Sequence, residues 1–205
     1  QRQVGLWYRS QDVQCDVFDY PEEFFKERIH TIRRPKPDDL QIKEAAEIIK
    51  KSKKPIIIAG GGIFYSDATE ELSTFATKHN IPVTQTVMGY SSMKRDHSHF
   101  LGPIGGLGGK AANNLAKQTD LAIAIGTKLA DFTTGSWANF ENPNFKLVSI
   151  NAARFDANKH MAQAVVGDAK VSLIELSQAL GRWKADDGWY TKSRIELKKW
   201  EGYRP

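Results

Sequence analysis

Pro55-Ile56-Ile57-Ile58-Ala59-Gly60-Gly61-Gly62 decides the fold. A strand that is apolar at every position has no face for water, so it must be covered on both sides. Upstream, Asp38 is placed to cap a helix with Gln41 three residues on, and Ile42, Ala45, Ala46 and Ile49 recur at helical spacing. Downstream, Asp67 and Glu70 read as a second capping box, with Leu72, Phe75, Ala76 and His79 on one face and Asn80 as the stop. The same grammar continues. Ile81 to Thr84 reads as a strand, and Ala111, Ala112, Leu115 and Ala116 as a small-residue helix. Leu121 to Ile125 is a second fully apolar strand, ending at Gly126. Lys146 to Ile150 and Ala164 to Val166 are further strands, and Asp168 caps a helix that Gly181 ends. Buried strands alternating with amphipathic helices specify a doubly wound α/β fold: a Rossmann-like parallel sheet with helices on both faces.

Three segments follow. Residues 1–37 read as an N-terminal linker and the end of a preceding domain, because Asp19-Tyr20-Pro21 and Arg33-Arg34-Pro35-Lys36-Pro37 are proline-punctuated and basic. Between those two phrases, Glu22 to His30 reads as a short helix with Phe24, Phe25 and Ile29 on its apolar side. Residues 38–181 form the central domain and are expected to close a core unaided. Residues 182–205 read as a C-terminal linker or helical tail. Residues 88–109, rich in glycine and without apolar periodicity, are expected to be the least ordered part of the domain.

The 205 residues are 40% hydrophobic and 26% charged, an ordinary globular balance. The net charge of +5 gathers at Arg28, Arg33, Arg34 and Lys36 and at Lys50-Lys51-Ser52-Lys53-Lys54. Basic side chains suit a helix C-terminus and a solvated linker. No zinc-finger, recognition-helix or RNA-binding signature accompanies them, so no nucleic-acid partner is expected. No apolar run reaches the roughly 20 residues of a membrane span, and no secretory leader follows Gln1. A single cysteine, Cys15, excludes an internal disulfide framework and a Cys-rich zinc site. The expectation is a cytoplasmic protein, and a chain starting at Gln1 reads as a fragment or a processed product.

Ligands of doubly wound sheets bind beyond the carboxyl ends of the strands. The candidate cofactor-binding residues there are Gly60, Gly61, Gly62, Gly126, Thr127 and Asn151. Glycines after a strand let backbone N–H groups approach a phosphate, or they serve a tight turn between strand and helix. The turn is the simpler reading. Tyr65 occupies the third glycine position of a dinucleotide fingerprint, no Gly-Lys-Ser/Thr ends the loop, and Asn151 stands where a ribose-binding carboxylate belongs. His97 and His99 could ligate a metal or act as a base, but no third ligand is evident, so no metal site is assigned. Trp137 and Phe140 either close a surface or pack their loop. Cys15 lacks a cationic activator, and no catalytic residue is assigned.

Several phrases, in the right order, resemble the central domain of thiamine-diphosphate-dependent enzymes. They are Lys54 to Gly62, Ile81 to Gly89, Ala111-Ala112-Asn113, Asp120 to Leu129 with Asp131, and Val165 to Lys170. The resemblance implies a six-stranded parallel sheet. A narrower set is similar to the family of ring-opening hydrolases of myo-inositol catabolism. It comprises Gln11-Asp12-Val13-Gln14, Asp131-Phe132-Thr133-Thr134, Asn142-Pro143 and Arg154-Phe155-Asp156-Ala157, though Arg9-Ser10 departs from that pattern. That likeness implies a hydrolase acting on a carbon–carbon bond of a trihydroxycyclohexane-1,2-dione, releasing 5-deoxy-glucuronate. It also implies thiamine diphosphate and Mg²⁺ held by N- and C-terminal domains of the same enzyme, and assembly as a homo-oligomer. The family's Gly-Asp-Gly with a downstream Asn is met only by Gly167-Asp168-Ala169, and no Asn follows Asn158. The resemblance therefore implies a non-catalytic middle domain with no cofactor of its own. Some relatives hold FAD or an adenine nucleotide at this sheet edge, which is the alternative.

Overall fold

The computed structural model describes residues 15–31 and 33–202. The phrases at Arg9-Ser10 and Gln11 to Gln14 lie outside them. The chain divides into two units, Gln1–Arg33 and Arg34–Pro205. In the first, a single 3₁₀ turn, Glu22–Phe25, stands in place of the helix expected from Glu22 to His30. Phe24, Phe25 and Ile29 are all exposed, and a helix this short does not persist in water without packing.

The second unit opens with α1 (Asp39–Lys51), capped by Asp38, whose carboxylate accepts from the N–H groups of Leu40 and Gln41. Then come β1 (Pro55–Ala59), the single-turn α2 (Gly62–Tyr65), α3 (Thr69–His79) and β2 (Val83–Gln85). After them are β3 (Phe100–Pro103), α4 (Lys110–Ala116), β4 (Leu121–Ile125), α5 (Asp131–Thr134) and β5 (Lys146–Asn151). The unit ends with α6 (Arg154–Ala157), β6 (Gln163–Val166), α7 (Ala169–Leu180) and α8 (Asp187–Glu201). All six strands are parallel, in the order β3-β2-β1-β4-β5-β6, with Ile57 beside both Val83 and Ile123. This is the doubly wound sheet that the apolar strands specify.

Side chains alternate across the sheet. Ile57, Ala59, Ile123, Ile125, Val148 and Ile150 pack on one face under α1, α3 and α7. Ile56, Ile58, Ala122, Ala124 and Leu147 pack on the other, under α4 and α8. The segment expected as a linker or helical tail is thus helical and packs on that second face. Trp189 and Leu197 are buried in that second cluster, and the Trp189 indole donates to Pro55 O at 2.9 Å. Without this segment, that face would lose Trp189 and Leu197 from its buried cluster. At the other end, the Arg34 guanidinium donates to Asp67 at 2.6 Å and to Asp168 at 3.1 Å, and Pro35 O accepts from the Asp168 N–H. These contacts fasten residues 34–37 to the sheet domain.

The stretch 88–109 contains strand β3, and Ser92, Met93, Leu101 and Ile104 within it are buried. One local expectation needs correction. Asp67 does not cap α3, whose N-cap is Ala68. A one-turn helix ends just before it, Asp67 takes a left-handed φ of 49°, and its carboxylate turns to Arg34.

Candidate functional site

The strand order reverses between β1 and β4, so the crevice of this sheet lies at their carboxyl ends. Gly60, Gly61 and Gly62 follow β1, Gly126 and Thr127 follow β4, and Asn151 ends β5. The six candidate residues do meet at one place, but backbone fills the place where they meet. Gly60 N–H donates to Ile125 O at 2.8 Å, Gly62 N–H to Gly126 O at 2.9 Å, and Gly126 N–H to Ile150 O at 2.8 Å. The Asn151 carboxamide donates to Thr127 O at 3.2 Å and accepts from Ala153 N–H at 2.9 Å. Thr127 Oγ1 accepts from Leu129 N–H. A Cβ on Gly60 would collide with Gly126 O, and one on Gly62 would lie 2.5 Å from Gly126 Cα. Gly126 itself has a φ of 61°. Two loops that touch main chain to main chain require glycine on both sides. That contact accounts for Gly60, Gly62 and Gly126 and uses their N–H groups, which a phosphate there would need. The helix after the loop is only the four-residue α2, and Tyr65 ends it.

Asp168 is likewise occupied. One carboxylate oxygen caps α7 through the N–H groups of Lys170 and Val171, and the other accepts from Arg34. Among the described residues no group of three or more His, Cys, Asp or Glu is arranged to hold a metal ion. His97 and His99 are structural neighbours. His97 Nδ1 accepts from the His99 N–H at 3.1 Å, and His99 Nε2 meets Asn80 Oδ1 at 3.2 Å. The His99 ring lies against Tyr190. Burial first, then the charges of His97 and Arg194, push the His99 imidazole down to about 4. His79, placed by the sequence on an ordinary helix face, is buried between Trp183 O and Ser177 Oγ. Burial lowers its pKa as well.

Trp137 and Phe140 pack against the second core cluster, with Trp137 edge-on to His160 and Phe140 beside Phe145. They serve the loop. Cys15 is exposed. No described helix is long and apolar enough to cross a membrane. The sequence reading did not find the α8 contacts of this region, Tyr190 to Ser98 O and Arg194 to Phe100 O. Their signal was the spacing of Trp189, Ser193 and Leu197, one helical face.

Residues 42–176 match the family model described as thiamine pyrophosphate enzyme, central domain. The chain is 46% identical over 170 residues to a 3D-(3,5/4)-trihydroxycyclohexane-1,2-dione hydrolase of Clostridium perfringens, covering 83% of this chain and 27% of that protein. It is 43% identical over 189 residues to the protein of the same name from Clostridium tetani, covering 92% and 29%. A Bacillus cereus relative, numbered 1 of that name, is 44% identical over 170 residues, covering 83% and 26%. The chain therefore spans little more than a quarter of the length of these relatives. With its six parallel strands and these matches, the chain belongs to the thiamine pyrophosphate enzyme central-domain family.

Proposed function

We propose that this chain is the central, non-catalytic domain of a hydrolase that opens the trihydroxycyclohexane-1,2-dione ring to 5-deoxy-glucuronate. The observation that carries the reading is the 46% identity over 170 residues to a protein of that name. Its role is scaffold and assembly, set between N- and C-terminal domains of the same polypeptide that bind thiamine diphosphate and Mg²⁺. The parent is a cytoplasmic homo-oligomer.

The residues present do not fit the cofactor. A diphosphate with a hard divalent cation needs several oxygen ligands around the ion, whereas both Asp168 oxygens are already engaged. The N–H groups of Gly60, Gly62 and Gly126 at the switch point are bonded to neighbouring carbonyls. The FAD or nucleotide alternative, at Gly60, Gly61, Gly62, Gly126, Thr127 and Asn151, is not better supported. The test is an assay of the full-length polypeptide with thiamine diphosphate and Mg²⁺, following 5-deoxy-glucuronate. Ring opening by the full-length polypeptide and none by this chain is expected. Ring opening by this chain alone would overturn the assignment of the chemistry to the flanking domains.

A further inference from the structure

A cavity of about 720 Å³ opens at the amino ends of β5 and β6, the opposite end of the sheet from the crevice described above. Lys146 begins β5 and Gln163 begins β6, and the loops that enter these two strands supply most of the remaining lining. Ile48, Trp137, Phe145, Leu147 and Met161 make its walls apolar. Ligand pockets are typically about 300–1,000 Å³, mostly apolar, with a few placed polar groups. This cavity meets that description.

Both loops hold their side chains here against steric resistance. Eight described residues other than glycine have a positive φ, and four of them lie on these two loops. They are Ser136 and Trp137, at 52° and 67°, and His160 and Met161, at 60° and 54°. Side chains of L residues resist this conformation, which persists only where the surroundings enforce it and which gathers at ligand sites. Its effect is local. The Trp137 and His160 rings meet edge-on with centroids 4.6 Å apart, and Met161 stands fully exposed. Leu147 is buried, but Trp137 and Phe145 are only half-buried. Aromatic surface is therefore held open to the cavity rather than packed away.

The polar groups left over are donors. Neither Lys146 Nζ nor the His160 ring has a hydrogen-bond or ion-pair partner among the described residues. Gln163 also lines the cavity, and its amide donates to Glu44 at 3.0 Å. The carboxylates on the neighbouring segments are answered too, Asp156 by Lys159 at 2.6 Å and Glu141 by Lys117 at 2.7 Å. Glu47, beside Ile48 on α1, has Lys50 and Lys51 within one turn of it. We propose that this cavity binds a small planar aromatic carboxylate. Its ring lies against Trp137 and Phe145, and its carboxylate accepts from Lys146 Nζ and from a His160 N–H. A neutral aromatic fills the walls but leaves both donors without an acceptor, so the anion is the preferred form.

Titration of this chain with cinnamate, followed by nuclear magnetic resonance, tests the proposal, with neutral cinnamamide as the comparison. The Trp137 indole N–H resonance, identified by its loss in Trp137→Phe, is expected to shift saturably with the acid. The amide is expected to bind more weakly by at least about fivefold. Lys146→Gln and His160→Gln replace exposed side chains, so the rest of the spectrum should not move, and each is expected to weaken cinnamate binding by about fivefold. Calorimetry of cinnamate with the full-length polypeptide is expected to show the same site. An unmoved Trp137 resonance, equal binding of acid and amide, or either Gln variant binding like the unaltered chain would overturn the proposal. So would binding by this chain with none by the full-length polypeptide, which would mean that another domain covers the mouth.

Discussion

Replacing Trp189 by Ala tests whether α8 is a structural part of the domain. Trp189 is 4% exposed, lies among Ile56, Ile58 and Leu115, and donates its indole N–H to Pro55 O at 2.9 Å. Removing a buried Trp side chain costs about 3–5 kcal/mol. That figure is a large share of the roughly 5–15 kcal/mol by which a domain is stable. For a domain of this size each kcal/mol shifts Tm by about 2–4 °C, so the variant is expected to melt roughly 10–15 °C lower. The assay is urea and thermal unfolding followed by far-ultraviolet circular dichroism, which does not depend on the lost fluorophore. Ile195→Ala, half exposed on the same helix, is the control and should stay within about 0.5 kcal/mol of the unaltered chain. A Trp189→Ala loss below about 1 kcal/mol would mean that α8 is a loose tail, and the account of the second face would fail. Ending the chain at Gly181 is expected to be worse still, giving a broad, non-cooperative transition because one sheet face loses its second helix.

Gly60→Ala sets a Cβ into Gly126 O and is expected to destabilise by about 1–3 kcal/mol, measurable by urea titration. A neutral result would show that the two loops at the switch point can part. Arg34→Met leaves the buried Asp168 carboxylate without its guanidinium, and a Tm drop of several degrees, larger than for Lys26→Met, is expected from calorimetry. His99 has its folded pKa lowered from 6.5 to about 4. The unfolded chain therefore takes up the proton first, and stability is full above pH 6.5 and falls as pH drops towards 4. The shift corresponds to at most about 3 kcal/mol, and His99→Gln should flatten that limb of the stability profile.

What was legible in the sequence was what local pattern alone determines. β1 and β4 are apolar at every position, and Asp38 and Asp168 cap their helices as placed. Asn80, in the left-handed region, ends α3 as its position suggested. β3 was not legible, because Phe100-Leu101-Gly102-Pro103 is short and holds a glycine at φ 93° and a proline. It becomes a strand only by pairing with β2, a contact between distant residues. α8 carries many lysines on its outer face, and that charge masked the stripe of Trp189, Ser193 and Leu197. The meeting of Gly60, Gly126 and Asn151 could be read from strand ends. That their hydrogen-bonding groups are already used could not, since it depends on how closely two loops approach. Phe132 and Phe140 look alike in sequence, yet Phe132 is exposed and Phe140 packs on the core.

Titration calorimetry of thiamine diphosphate with Mg²⁺ into this chain tests the central claim most directly. Asp168 is committed to Arg34 and to the α7 N–H groups, and the N–H groups of Gly60, Gly62 and Gly126 are committed to Ile125, Gly126 and Ile150. The diphosphate and its cation would therefore lack fixed oxygen ligands and free donors here. The account predicts no saturable heat from this chain, and magnesium-dependent binding once the flanking domains are restored. A saturable, magnesium-dependent heat from this chain alone would contradict it.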